Sequence, residues 1–127
     1  MQQKHLFEYA VIRVVPRVER EEFLNIGVIL YCKKHQFLKT RYHLDEARLQ
    51  AFYTGLDLDE LKEHLCSFER ICRGDKAAGP IGQLDVASRF RWLTATRSTV
   101  IQTSKVHPGM SDDAEATLNK LFNQLVL

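Results

Sequence analysis

The chain has 127 residues, 45% hydrophobic and 27% charged, with eighteen Lys and Arg against sixteen Asp and Glu for a net charge of +2. That length suits one domain, residues 1–127, with a core of its own, and the near-neutral balance excludes a supercharged nucleic-acid tail. The longest apolar run, Ile26 to Cys32, falls far short of the ~18–20 residues that span a bilayer. The start, MQQKHLFEYAVIR, lacks an unbroken signal-peptide core, so a cytoplasmic protein without membrane contact is expected.

The stretch Tyr9 to Cys32 reads as two apolar strands around a charged loop, Pro16 to Glu22. Pro16 ends the first strand because it has no N–H for the ladder. Side chains alternate between faces along a strand. Setting Val14 opposite Leu24 and Ile12 opposite Ile26 therefore makes one purely apolar face, with Arg13 opposite Asn25 and Val11 opposite Gly27 on the other. Lys33-Lys34-His35 marks a turn, and Gln36 to Leu44 a third strand that sets Arg41 opposite Gly27. The expected sheet has one dry face and one face marked by Arg13, Asn25, Gly27, Arg41 and His43.

Asp45 is a plausible N-cap for a short helix through Ala51-Phe52-Tyr53, ended by Gly55. Asp57 and Glu60 have capping-box spacing. Leu58, Leu61, Leu65, Phe68 and Cys72 then recur at three- and four-residue steps, which predicts an amphipathic helix over the dry face, stopped by Gly74. Gly79, Pro80 and Gly82 make residues 75–83 a loop. Val86 to Leu93 leans towards helix. Ser98 to Thr103 is β-branched and predicts a later strand of the same sheet. Pro108-Gly109 marks a turn, and Asp112 with Glu115 caps a last helix striped by Ala114, Leu118, Leu121 and Leu125. The fold class is α+β: a three-stranded antiparallel meander over residues 6–44 plus a later strand, with helices on one face.

Cys32, Cys66 and Cys72 form no paired-thiol motif, and in a reducing cytoplasm they are buried small apolar residues. A zinc site of Cys66, Cys72 and His64, with His35 or His43, is disfavoured because no ligand spacing supports it. No cofactor is expected, since neither a phosphate-cradling glycine loop nor a dinucleotide fingerprint is present.

Three motifs in order bring a family into view. They are Arg13-Val14-Val15-Pro16 with Arg20-Glu21-Glu22-Phe23-Leu24-Asn25-Ile26-Gly27-Val28; Arg89-Phe90-Arg91-Trp92-Leu93-Thr94-Ala95 with Arg97-Ser98-Thr99-Val100-Ile101-Gln102; and His107-Pro108-Gly109 before an acidic helix start. Together they resemble the bacterial family of proteins of unknown function numbered 3037, over nearly the whole chain. Two positions depart from the family's pattern. Val14 stands where Tyr is common, and Glu21 where Gly is common, a place where glycine permits a turn that Glu21 resists. The resemblance implies a small bacterial cytoplasmic protein, often encoded beside a kinase of the persistence-toxin type, and carries over no catalytic residue.

An arginine inside an apolar strand must be paired or reach water. For Arg13 the bland reading is an ion pair with Glu22 or Glu8, with Asn25 tying down backbone. The sharper reading is an anion site in which Arg13, Arg41 and Arg97 present planar donors. Arg89-Phe90-Arg91-Trp92 interleaves cations and aromatics as single-stranded nucleic-acid binders do, although the same run can pack its aromatics inward. In the loop, Arg20 and Glu22 are candidates, and Glu22 can act as a base or sit in a surface ion pair. Glu21, Glu22, His43, Ser98 and His107 have no spacing that makes a nucleophile and its base. The expected function is a non-catalytic accessory or interaction module working with a larger partner. The alternative is a nucleic-acid or phosphate-ligand protein, an enzyme among its forms, that uses an arginine-lined sheet face, and homo-oligomerisation stays open.

Overall fold

The computed structural model describes residues 3–97 and 99–127. Five strands, β1 (His5–Val14), β2 (Leu24–Cys32), β3 (Phe37–Tyr42), β4 (Ile101–Thr103) and β5 (His107–Ser111), form one antiparallel sheet in the order β3-β2-β1-β4, with β5 also on β1. Four helices accompany it: α1 (Glu46–Phe52), α2 (Leu58–Arg73), α3 (Val86–Leu93) and α4 (Ala114–Leu125). This is the α+β class that the sequence predicts. Among the described residues no helix is long and apolar enough to cross a membrane.

Local chemistry accounts for the helix ends. The side chains of Asp45, Asp57 and Asp85 each accept the backbone N–H three residues on, of Arg48, Glu60 and Ser88, and so satisfy a donor the first turn leaves open. Gly74 closes α2 in the left-handed conformation, at φ 69°. The cap of α4 is Asp113, which takes the N–H of Ala116, rather than Asp112. The α1 cap at the C-terminal end is Tyr53, two residues before Gly55.

The strand register departs from the alternation rule at one place. Val14 faces Leu24 and Arg13 faces Asn25, but a bulge between Ile12 and Arg13 then sets Ile12 opposite Gly27 and Val11 opposite Val28. Ile26 is the extra residue, so the expected Ile12–Ile26 and Val11–Gly27 pairs are not formed. Tyr42, not Arg41, lies opposite Gly27, and Arg41 faces Val28. A bulge flips the faces of everything beyond it. Ile29 and Tyr31 thus join Ala10, Ile12 and Val14 on one face, while Val28, Leu30 and Cys32 turn to the other.

Both faces are consequently dry over much of their area. On the first, α1, α2 and α3 deliver Leu49, Leu61, Leu65, Phe68, Phe90 and Leu93 to the sheet. On the second, α4 lays Leu118, Phe122 and Val126 over Phe7, Val28, Leu30 and Cys32. The helices therefore occupy both faces, not one. The turn expected at Pro108-Gly109 is instead part of β5, with Pro108 opposite Glu8. An edge strand tolerates the missing N–H, and Gly109 leaves room for the Phe7 ring. The later strand is shorter than residues 98–103, and Ser98 lies outside the described residues.

Candidate functional site

At the bulged end of the sheet, one row crosses three strands: Asn25 on β2, Arg13 on β1 and Gln102 on β4. The Arg13 guanidinium stacks on the Phe23 ring at 3.9 Å from its centroid. Asn25 donates its side-chain amide to the Leu125 carbonyl of α4 at 3.2 Å, so the negative end of that helix lies beside the row. Arg13 Nε and Asn25 Oδ1 are both buried and have no hydrogen-bond partner among the described residues. The expected ion pair is not formed. Glu22 takes Arg20 instead, and Glu8 takes Arg91 in a two-pronged contact at 2.5 and 3.0 Å. Partial burial lowers the pKa of Arg13 from its ordinary value, though a guanidinium stays charged at any neutral pH.

Next to this row the β1–β2 loop folds over the end of α1. The loop makes a short 3-10 turn, Val18–Arg20, and Glu21 leaves it in the left-handed region at φ 56°. Between loop and helix lies a cleft of about 230 Å³ lined by Pro16, Arg17, Arg20, Glu22, Phe52 and Tyr53. Phe23 is 45% exposed, and Val18 and Tyr53 also show apolar surface to water. Arg17 and Arg20 are held by Glu19 and Glu22 in exposed ion pairs. The cleft combines two aromatic rings, a proline and two arginines in one place.

Comparison with protein families decides what the chain is related to. A model of the family described as "Protein of unknown function (DUF3037)" matches residues 9–126. The chain belongs to this family. No curated protein and no solved structure matches it. The DUF3037 match spans both the Arg13 row and the loop cleft, and it assigns a role to neither.

The other residues singled out in this DUF3037 chain do not converge on that place. Arg41 lies beneath α4, bonded to Asn119 Oδ1 at 2.6 Å and 4.4 Å from the Phe122 ring centroid. Gly27 admits β3 closely: a Cβ there would stand 2.7 Å from the Arg41 carbonyl and from Tyr42 Cβ. His43 is exposed, and its backbone N–H bonds the Ile26 carbonyl at 2.8 Å. Arg97 donates to the Leu93 and Trp92 carbonyls and so closes the end of α3, which packs on the face opposite Arg13. Arg13, Arg41 and Arg97 therefore cannot grip one ligand together.

The run Arg89 to Trp92 is divided in the same way. Phe90 is fully buried and stacks on Tyr31 at 5.2 Å. Arg91 serves Glu8 on β1, a hydrogen bond that raises its pKa. Arg89 tucks against Gly74 at the end of α2. Only Trp92 offers an open ring, with Arg97 5.0 Å from its centroid. Cys72 is buried, and burial raises its thiol pKa to about 11. Cys66 is exposed, and among the described residues no three His, Cys, Asp or Glu gather as metal ligands. Sequence reasoning missed Phe23, Phe52 and Tyr53. The signal was there: aromatics beside charged loop residues, outside every apolar stripe.

Proposed function

We propose that this protein is an accessory interaction module, which docks a larger protein through the β1–β2 loop and the end of α1. The observation that carries this reading is the exposed aromatic surface itself: Tyr53 lines a cleft with Phe52, Pro16, Arg17 and Arg20, and the same β1–β2 loop exposes Val18 and Phe23. Aromatic residues and arginine are the groups that anchor protein interfaces, because they remove large apolar area from water and still satisfy polar tips. The partner to test first is a kinase of the persistence-toxin type, the neighbour that the family resemblance implies.

The test is affinity purification of the tagged protein from its own cells, with nuclease, beside a Phe23→Ser/Tyr53→Ser variant. Both side chains lie outside the two apolar clusters, and a melting curve beside the unaltered chain confirms that the variant is folded. The reading expects one protein recovered in near-equal amount with the unaltered chain and absent from the variant. It is wrong if the same companions come down with both. A second reading, a phosphate or nucleic-acid ligand protein, has the unpaired Arg13 fork in its favour. It predicts companions that vanish on nuclease treatment and binding that weakens steeply with salt.

A further inference from the structure

We infer that Arg13 and Asn25 form a two-point clamp for a carboxylate flanked by an N–H, the group found at the end of a peptide chain and in an N-acyl amino acid. This deepens the interaction-module reading and rests on it. Two unanswered groups of opposite kind carry it. Arg13 Nε is a buried donor without an acceptor, and Asn25 Oδ1 is a buried acceptor without a donor. They belong to directly opposed residues of β1 and β2, on one face of the sheet. Leaving either atom dry and unpaired carries its full desolvation penalty, so the arrangement calls for a partner group.

The two atoms do not answer each other because each side chain is pinned elsewhere. The Asn25 amide is held by its bond to the Leu125 carbonyl at 3.2 Å, and the Arg13 plane by the Phe23 ring at 3.9 Å. Neither contact uses the free atom, so each stays unpaired beneath the Phe23 ring and the end of α4. Of the Arg13 nitrogens, Nε is the one that is both buried and unpartnered. An incoming carboxylate takes the guanidinium edge side-on, through Nε and a terminal nitrogen, the geometry in which arginine binds this group best. The N–H next to that carboxylate then falls to Asn25 Oδ1. A fully ionised phosphate ester answers the arginine but has no hydrogen to give Asn25 Oδ1, and the hydroxyl that inorganic phosphate keeps near neutral pH lacks the spacing of a carboxylate and its neighbouring N–H. Phe23 stands one residue before β2, outside the ladder, and its ring yields as the ligand enters.

Two experiments on the whole chain decide the matter. First, the Arg13 Nε–H resonance is followed by nuclear magnetic resonance during titration with N-acetylglycine, N-acetylglycinamide, acetate and inorganic phosphate. The clamp predicts a saturable shift with N-acetylglycine that exceeds the other three. Equal shifts with N-acetylglycinamide, acetate or phosphate overturn it, as does no shift at all. Second, the chain is bound to an array of peptides with free C-termini and to the same peptides amidated. Amidation and Arg13→Lys, which keeps the charge and loses the fork, should each weaken binding about tenfold or more. Melting curves confirm that Arg13→Lys is folded. Equal binding of free and amidated peptides rejects a chain-end ligand, and an N-acetylglycine shift without peptide binding assigns the clamp to small acyl amino acids. If these assays fail while Phe23→Ser/Tyr53→Ser still loses its partner, the interaction module stands without the clamp.

Discussion

Glu21 holds φ at 56°, a conformation in which a side chain with a Cβ is strained and glycine is not. The family resemblance implies glycine at this position, a residue that takes the turn without that penalty. Glu21→Gly should stabilise the fold by about 0.5–1 kcal/mol, read as a higher urea midpoint at unchanged slope. Titrating groups give a second prediction. Burial, with the Glu69 carboxylate next in effect, pushes the Tyr42 phenol up to about 12, and burial pushes the Cys72 thiol up to about 11. Both acids are neutral in both states below about pH 8, so they leave stability unchanged there. As pH rises from about 8 to 12 the unfolded chain ionises first, the Cys72 thiol before the Tyr42 phenol, and stability falls. Urea unfolding at stepped alkaline pH should show that fall, with Tyr42→Phe flattening its upper part; a decline identical in Tyr42→Phe contradicts the assignment. At this scale the sequence marked Arg13 as unusual but misjudged its neighbours. Glu22 is close in sequence yet pairs with Arg20, and the Phe23 ring met Arg13 only because the strand pairing brought it there.

Elements with caps were legible. Asp45 and Asp57 start helices where the spacing predicts, and Gly74 stops α2 where a left-handed residue is required. The register of β2 was not legible, for a physical reason. LNIGVILYC is apolar on both faces, so a one-residue bulge exposes nothing and the pattern cannot forbid it. The same ambiguity hid the second helix layer. Lys39 and Arg41 suggest a wet face, yet they reach Glu115 and Asn119 across α4 while Phe122 covers the strands. Phe122→Ala should therefore cost about 3–5 kcal/mol, comparable to a substitution in the main core such as Phe90→Ala. A thermal or urea measurement giving less than about 1 kcal/mol would show α4 to be a loosely attached surface helix. β5 was hidden by Pro108-Gly109, which mark a turn anywhere except on an edge strand.

For the molecule as a whole, the sheet has two differently equipped ends. At one end, Arg13, Phe23 and the Pro16–Tyr53 cleft gather beside the bulge. At the other, β5 pairs with the start of β1, where exposed Leu6 and Met110 face each other across the strands. The proposed function belongs to the first end, and the fold class alone could not choose between them. A photo-crosslinking side chain placed at Phe23, and in a second chain at Met110, tests that choice in living cells. The account predicts one specific crosslinked protein from position 23 and none from position 110. The same product from both positions, or a product from Met110 alone, would contradict it.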